Sequence, residues 1–257
     1  MAVPATSADR AEPILQLRGI GRRFGGVVAV SGVDLSVRAG ERRAILGPNG
    51  AGKTTLFNLI SGEFPPSTGT VELFGRDVTH VPGRTRARMG LSRTFQTSRL
   101  FGGLTVEDNL YLAVLGVGSG HLRLVRSKAD AGMRARARSM AEVVGLTDRL
   151  EALVSELSHG EQRQLEVGMA RVSEPKLLML DEPAAGLSRA ERVKLTELLL
   201  SLDPSITLIL IEHDMDVALR VAQWVTMMHD GRVIVEGTPD EIRADETVHA
   251  LYLGSHA

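Results

Sequence analysis

The chain has 257 residues, 43% of them hydrophobic and 24% charged, the balance of a globular protein with a sizeable core. Thirty basic residues against thirty-one acidic ones leave a net charge of −1, which argues against a nucleic-acid partner held by overall charge. With no cysteine, disulfides, thiolate metal sites and a cysteine nucleophile are excluded, and no apolar run approaches the roughly 18 to 20 residues of a membrane span.

Residues 1–12 are small and polar and lack the apolar stretch of a secretory signal; they read as a disordered lead-in. Alternation over residues 14–17 and short β-like runs over 27–35 predict antiparallel strands. A strand over 43–46 enters a glycine-rich turn, 47–52, after which Leu56, Leu59 and Ile60 recur at helical spacing up to Gly62. A turn-rich link over 64–69 leads to a further strand over 70–74. From 97 to 157 strand signals vanish. Met133, Ala137, Met140, Ala141 and Val144 share one helical face there, stopped by Gly145, which predicts a helical subdomain inserted in an α/β core. Strands return at 177–180 and 207–211 around a helix over 189–202, the alternation of a doubly wound sheet. Residues 225–229 and 232–236, joined through Asp230-Gly231, predict a hairpin. The runs Arg84-Arg86-Arg88 and Arg134-Arg136-Arg138 read as solvated surface, because helical residues two apart point to nearly opposite sides.

Two stretches carry chemistry. Gly47-Pro48-Asn49-Gly50-Ala51-Gly52-Lys53-Thr54 fits the phosphate-loop pattern. Its glycines let backbone N–H groups converge on phosphate oxygens at a helix N-terminus. Lys53 would set a point charge between the β- and γ-phosphates, and Thr54, with Thr55 beside it, would offer a hydroxyl to Mg²⁺. An ordinary glycine-rich turn is the plain alternative, but a strand before the loop, a helix after it and only four lysines in the chain favour phosphate. Farther on, residues 177–180 end in Asp181-Glu182-Pro183. Buried parallel strands open at their C-terminal ends onto the ligand crevice. Asp181 suits a Mg²⁺ shell, and Glu182 is placed to orient or deprotonate a water. Alone, the run would be a solvated acidic turn.

Between these stretches lies Leu157-Ser158-His159-Gly160-Glu161-Gln162, which resembles the signature LSGGQ of ATP-binding cassette proteins. Gln96, in Arg93-Thr94-Phe95-Gln96, is similar to the family's Q-loop glutamine. His213 is similar to the switch histidine, residues 184–188 to the D-loop, and Phe24 to the aromatic that stacks on adenine. Singly, Gln96 reads as a surface-loop residue, His213 as a strand-end cap, Ser158 before Gly160 as a helix start and Phe24 as a core aromatic. In the family's order, over residues 14–254, they identify the chain as a member.

The resemblance implies an α/β fold: a P-loop NTPase core with a mixed sheet, an antiparallel β subdomain and an inserted α-helical subdomain. It implies one domain over 13–257, with 13–96 and 158–257 as core and 97–157 as the helical part. ATP and Mg²⁺ are the implied cofactors. Phe24, Gly47, Pro48, Asn49, Gly50, Ala51, Gly52, Lys53, Thr54, Thr55, Ser158 and Gly160 would bind nucleotide. Thr54, Gln96 and Asp181 would surround the metal, and Glu182, His213, Gln96 and Lys53 would act in hydrolysis. Two copies, or one copy and a paralogous subunit, would pair head to tail so that the signature of one faces the nucleotide of the other. The pair would drive a separate membrane permease served by a solute-binding protein, from the cytoplasmic face of the membrane.

The sequence departs from the pattern at His159, at Glu161-Gln162 and at Ser188, where many relatives carry the D-loop aspartate. Details such as Leu104-Thr105-Val106-Glu107-Asp108-Asn109-Leu110 and Ile211-Glu212-His213-Asp214 resemble ATPase subunits of branched-chain amino-acid-type importers, a group that also serves urea, amides and aromatic acids. Two rivals remain. A non-transport cassette ATPase would be expected to show tandem cassettes, coiled-coil insertions or zinc sites. A nucleotide-regulated module without turnover fits poorly with Lys53, Asp181, Glu182 and His213 all present.

Overall fold

A computed structural model describes residues 12–94, 100–117 and 128–253; the lead-in through residue 11, Gln96 and Gly254 lie outside the described residues. The chain opens with strands β1 (Pro13–Phe24) and β2 (Val27–Arg38), then β3 (Arg42–Leu46) and helix α1 (Lys53–Ser61). Strands β4 (Thr68–Leu73) and β5 (Arg76–Asp77), helix α2 (Gly83–Met89) and strand β6 (Leu91–Arg93) follow. The helices α3 (Val106–Val117), α4 (Lys128–Val143) and α5 (His159–Arg171) occupy the predicted helical stretch and its exit. Then come β7 (Leu177–Asp181), α6 (Arg189–Ser201), β8 (Thr207–Ile211), α7 (Met215–Val221), β9 (Trp224–His229), β10 (Arg232–Gly237), α8 (Pro239–Ala244) and α9 (Glu246–Leu253).

Among the described residues the strands form two sheets. One is antiparallel and four-stranded in the order β2-β1-β4-β5; the other has the order β10-β9-β3-β8-β7-β6. In the second, β9, β3, β8, β7 and β6 run parallel and β10 closes the edge antiparallel to β9. The β9–β10 turn is made by Asp230 (φ 46°) and Gly231 (φ 75°), the pair of positive φ values a two-residue hairpin needs. Strand β6 was not legible in the sequence because three residues are too few to display a period of two.

Strands β7 and β8 are buried along their whole length, and their side chains alternate between two apolar cores. Leu177, Met179, Ile209 and Ile211 point to the core that contains Leu56, Phe57, Leu59 and Ile60 of α1 together with Leu15, Leu17, Val71 and Leu73 of the antiparallel sheet. Helix α1 is therefore clasped between the two sheets. Leu178, Leu180, Leu208 and Leu210 point the other way, into the core shared with α3, α5 and α6. Ala137, Ala141 and Val144 are buried in that second core, as their spacing predicts, with Met133 and Met140 half-buried beside them.

The arginine runs depart from the sequence reading at Arg86 and Arg134, whereas Arg84, Arg88, Arg136 and Arg138 are exposed as it expects. Arg86 is 1% exposed, and burial pushes its guanidinium down to about 10. It donates to the carbonyls of Leu59 (2.8 Å) and Ile60 (2.7 Å) in the last turn of α1, and to those of Val78 (2.6 Å) and Val81 (2.9 Å). A full set of backbone acceptors is what makes this burial tolerable. Arg134 ion-pairs with Glu107 (3.3 Å) and Asp108 (3.4 Å) and lies 4.6 Å over the Tyr111 ring. Arg138 joins it on Glu107 (3.2 Å), so these two arginines tie α4 to α3. No described helix is long and apolar enough to cross a membrane.

Candidate nucleotide site

Between the end of β3 and the start of α1 the chain must turn through residues 47–52. Gly47 (φ 150°), Gly50 (φ 81°) and Gly52 (φ 94°) adopt backbone conformations that L side chains rarely reach. Space is short as well. A Cβ on Gly47 would stand 2.2 Å from the Met228 carbonyl oxygen, and one on Gly52 2.4 Å from that of Ala29. The Gly231 N–H donates to the Ala51 carbonyl (3.0 Å), pinning the loop to the β9–β10 turn. Helix α1 then begins with neither a side-chain cap nor an acidic residue in its first turn, which presents N–H groups and the positive dipole end to an anion.

Lys53 is buried and folds back on the loop, its Nζ donating to the carbonyls of Gly47 (2.6 Å) and Pro48 (3.0 Å). Burial draws its ammonium below the usual lysine range, while Glu182 and Asp181 hold it up. Thr54 and Thr55 are half-buried behind it, and Asn49 and Gly50 form the exposed tip.

Asp181 ends β7. Its backbone N–H donates to the Thr94 hydroxyl (3.1 Å), yet both carboxylate oxygens are buried with no hydrogen-bond partner. Desolvation raises its pKa, against the pull of Arg93, Lys53 and His213. A buried, unpartnered carboxylate demands a physical reason, and a hard divalent cation is the fitting one. No cluster of three or more His, Asp or Glu side chains suited to a metal occurs among the described residues. A lone carboxylate is a sparse protein oxygen set, which fits Mg²⁺ carried on phosphates better than a metal caged by protein alone.

Glu182 follows in a left-handed conformation (φ 49°), unusual for a residue with a side chain. Its N–H donates to the Ile211 carbonyl (2.9 Å), and its Oε1 lies 2.7 Å from Nε2 of His213, which follows β8. A carboxylate and an imidazole at that separation are able to share and pass a proton. Glu212, which sequence reasoning passed over, is buried beneath them. Its Oε1 accepts the Ala184 N–H (2.7 Å) and its Oε2 that of His213 (3.2 Å). Burial lifts its carboxyl to about 7, opposed by N–H groups that favour the anion.

Phe24 lies at the end of the β1–β2 hairpin that also supplies Ala29, the residue abutting Gly52. It is 44% exposed, so it does not belong to the core. Its ring meets Phe64 edge-on at 5.4 Å, and the Arg22 guanidinium stands 4.8 Å from both rings.

The signature residues sit apart, at the start of α5. Ser158 caps the helix: its Oγ accepts the Glu161 N–H (3.2 Å), and Glu161 Oε2 accepts the Ser158 N–H (2.8 Å). The Gly160 N–H donates to Glu191 Oε1 (2.9 Å), while Glu191 Oε2 accepts both the N–H (2.9 Å) and the hydroxyl (2.7 Å) of Ser188 at the start of α6. Those Ser188 bonds, followed by the Gly160 bond, pull the Glu191 carboxyl down to about 2. Both N–H groups expected to face a phosphate are thus engaged by carboxylates of their own chain in this conformation. A cavity of about 270 Å³ opens here, lined by Ser158, Gly160, Glu161, Gln164, Glu191 and Lys194.

A glycine loop at a bare helix start, an unpartnered aspartate at a neighbouring strand end and a carboxylate–imidazole pair beside them define a P-loop nucleotide site. Comparison with known proteins agrees. The family model described as ABC transporter matches residues 30–185, and that of the branched-chain amino acid ATP-binding cassette transporter matches residues 232–257. The high-affinity branched-chain amino acid transport ATP-binding protein LivG of Salmonella typhimurium is 40% identical over 95% of this chain and 98% of its own. The corresponding BraF of Pseudomonas aeruginosa is 37% identical over 94% of this chain and 98% of its own. Among solved structures, the ADP conformation of an ATP-binding cassette of an ABC transporter superposes with a TM-score of 0.85 at 29% identity, covering 95% of this chain and 100% of that one. This chain belongs to the ABC transporter family, as an ATP-binding and ATP-hydrolysing subunit.

Proposed function

We propose that the chain is the motor subunit of an importer for branched-chain amino acids or a related small solute, acting from the cytoplasmic face of the membrane on a separate permease served by a solute-binding protein. The single observation that carries the motor reading is the buried, unpartnered Asp181 carboxylate adjoining the Glu182–His213 pair and within electrostatic reach of Lys53. The likeness to LivG over nearly the whole chain supports the solute class. Residues 13–257 work as one cassette, with 97–157 as its helical part.

In this reading Phe24 stacks on adenine, and the backbone N–H groups of residues 47–55, Pro48 excepted, take the phosphates at the start of α1. Lys53 exchanges its bonds to the Gly47 and Pro48 carbonyls for phosphate oxygens, a short swing from its present position. Asp181, Thr54 and Gln96 would hold Mg²⁺, which when bound would supply neutralising charge to the phosphates. Glu182 orients a water and accepts its proton as the water oxygen bonds to the γ-phosphorus and the bond to the β-phosphate oxygen breaks. His213, against Glu182, steadies that carboxylate and contacts the γ-phosphate. Ser158 and Gly160 of a second cassette, identical or paralogous, complete the site once their present carboxylate partners give way.

Replacing Glu182 by Gln tests this. ATP binding is expected to persist and the ATP-bound dimer to accumulate on size exclusion. Hydrolysis should fall about a hundredfold or more, the scale of a lost general base. Undiminished turnover overturns the role given to Glu182. Uptake of labelled leucine, urea and benzoate by cells lacking the gene separates the solute classes, and a loss confined to urea or benzoate overturns the amino-acid reading.

A further inference from the structure

We propose that Glu212 is a positioning residue for ATP hydrolysis, its carboxylate holding the turn after β7 and the residue after β8 on one pair of oxygens so that Glu182 and His213 stay in register. The inference rests on the reading that Glu182 and His213 act at the γ-phosphate.

The turn after β7 is strained at Glu182 (φ 49°) and is fastened to the end of β8 by two bonds. Glu182 N–H donates to the Ile211 carbonyl (2.9 Å), and Ala184 N–H donates to Glu212 Oε1 (2.7 Å). The other oxygen of the same carboxylate accepts the N–H of His213 (3.2 Å). One side chain therefore grips the backbone on the far side of Glu182 and the backbone of His213 at once. The 2.7 Å approach of Glu182 Oε1 to His213 Nε2 is the distance this grip sets. The N–H of Glu212 itself reaches the Ile45 carbonyl (3.4 Å) on β3, the strand that feeds the phosphate loop.

The identity of the residue points the same way. Glu212 is 2% exposed and follows the apolar run of β8, where packing alone would favour another aliphatic side chain. A carboxylate in that place costs desolvation, and in exchange it supplies acceptors for N–H groups that would otherwise be left without partners. An aliphatic residue there would leave Glu182 held by the Ile211 bond alone.

The test compares Glu212→Gln and Glu212→Asp with Glu182→Gln in the full chain. Glu212→Gln keeps reach and one acceptor oxygen but sets an NH₂ group against backbone N–H donors that now meet a carboxylate oxygen; Glu212→Asp keeps charge but is a methylene too short to span from Ala184 to His213. In each, kcat is expected to fall about tenfold to a hundredfold, the cost of misplacing a reacting group by about 1 Å, with KM for ATP changed less than about twofold. The imidazole NMR signals of His213 are expected to shift in both, and in Glu182→Gln as well. Full turnover in the Glu212 variants overturns the proposal, as does an unmoved His213 signal accompanied by a lowered melting temperature. If Glu212→Gln does not fold, Glu212→Asp decides the question by the same two readouts. Loss of turnover in Glu182→Gln alone sinks this proposal and spares the function reading; full turnover in Glu182→Gln sinks the reading itself.

Discussion

The first turns of α1 and α5 differ in what their backbone N–H groups meet. At α1 the cap is Gly52, no side chain bonds to the helix start, and the nearest cation, Lys53, rests on loop carbonyls. At α5 the Ser158 and Gly160 N–H groups already serve Glu161 and Glu191. Both are helix starts where the family resemblance calls for phosphate, but only the first is bare. The difference teaches that a helix start suited to phosphate is recognised by what its chain leaves off it as much as by its glycines. On the proposed function an anion would enter the α1 site by addition and the α5 site by exchange, since the Glu191 carboxylate holds the Gly160 N–H that a phosphate oxygen would take.

Abolishing the bare site is the largest perturbation. Gly52→Ala forces a Cβ within 2.4 Å of the Ala29 carbonyl at φ 94°. Nucleotide affinity measured by fluorescence titration is expected to drop about a hundredfold, with stability lowered by at least the roughly 1 to 3 kcal/mol of backbone strain. The opposite end of the same helix comes next. Arg86→Met strips guanidinium donors from the Leu59 and Ile60 carbonyls that close α1. Urea denaturation should then show a loss of about 3 kcal/mol or more, because buried acceptors are orphaned.

A pH scan leaves both helix starts alone and reads Glu212. Its folded-state carboxyl, at about 7, lies above the ordinary 4.5, so between these values the native state holds more proton than the unfolded chain. Stability is expected to decline as pH rises from about 4.5 to 7, with the contribution present below that window and lost above it. Glu212→Gln should remove this slope, a difference on the order of 1 kcal/mol or more across the window. Parallel stability curves for the two proteins would contradict it. The smallest effect belongs to α5. Glu191→Gln keeps an oxygen for the Ser188 cap but drops the charge, and ATP-driven pairing measured by light scattering is expected to need a few-fold less ATP. An unchanged midpoint would show that Glu191 does not compete for Gly160.

Features set by short spacing were legible in the sequence. The glycines of 47–52 announce tight backbone, Asp230-Gly231 announces the hairpin, and the apolar run into Asp181 announces a buried strand ending at a crevice. Ser158 before Gly160 announces a helix start, and the patterns Ser158-x-x-Glu161 and Ser188-x-x-Glu191 close as capping boxes. Contacts between distant parts of the chain were not legible. Arg86 looked solvated because periodicity describes its own helix, whereas its partners lie on α1 and in the chain around Val78. Glu212 looked like a neighbour of the histidine, and its grip on Ala184 spans 28 residues. The Gly160–Glu191 bond spans 31, and no local pattern records which of the two oxygens will face it.

Calorimetric titration of ATP into the wild-type chain, Lys53→Ala and Glu182→Gln tests the nucleotide site most directly. Saturable binding to the wild type and to Glu182→Gln, with binding to Lys53→Ala weakened about a hundredfold or more, is expected if Lys53 carries the phosphate charge and Glu182 serves only the chemistry. Wild-type affinity in Lys53→Ala, or none in Glu182→Gln, would contradict it.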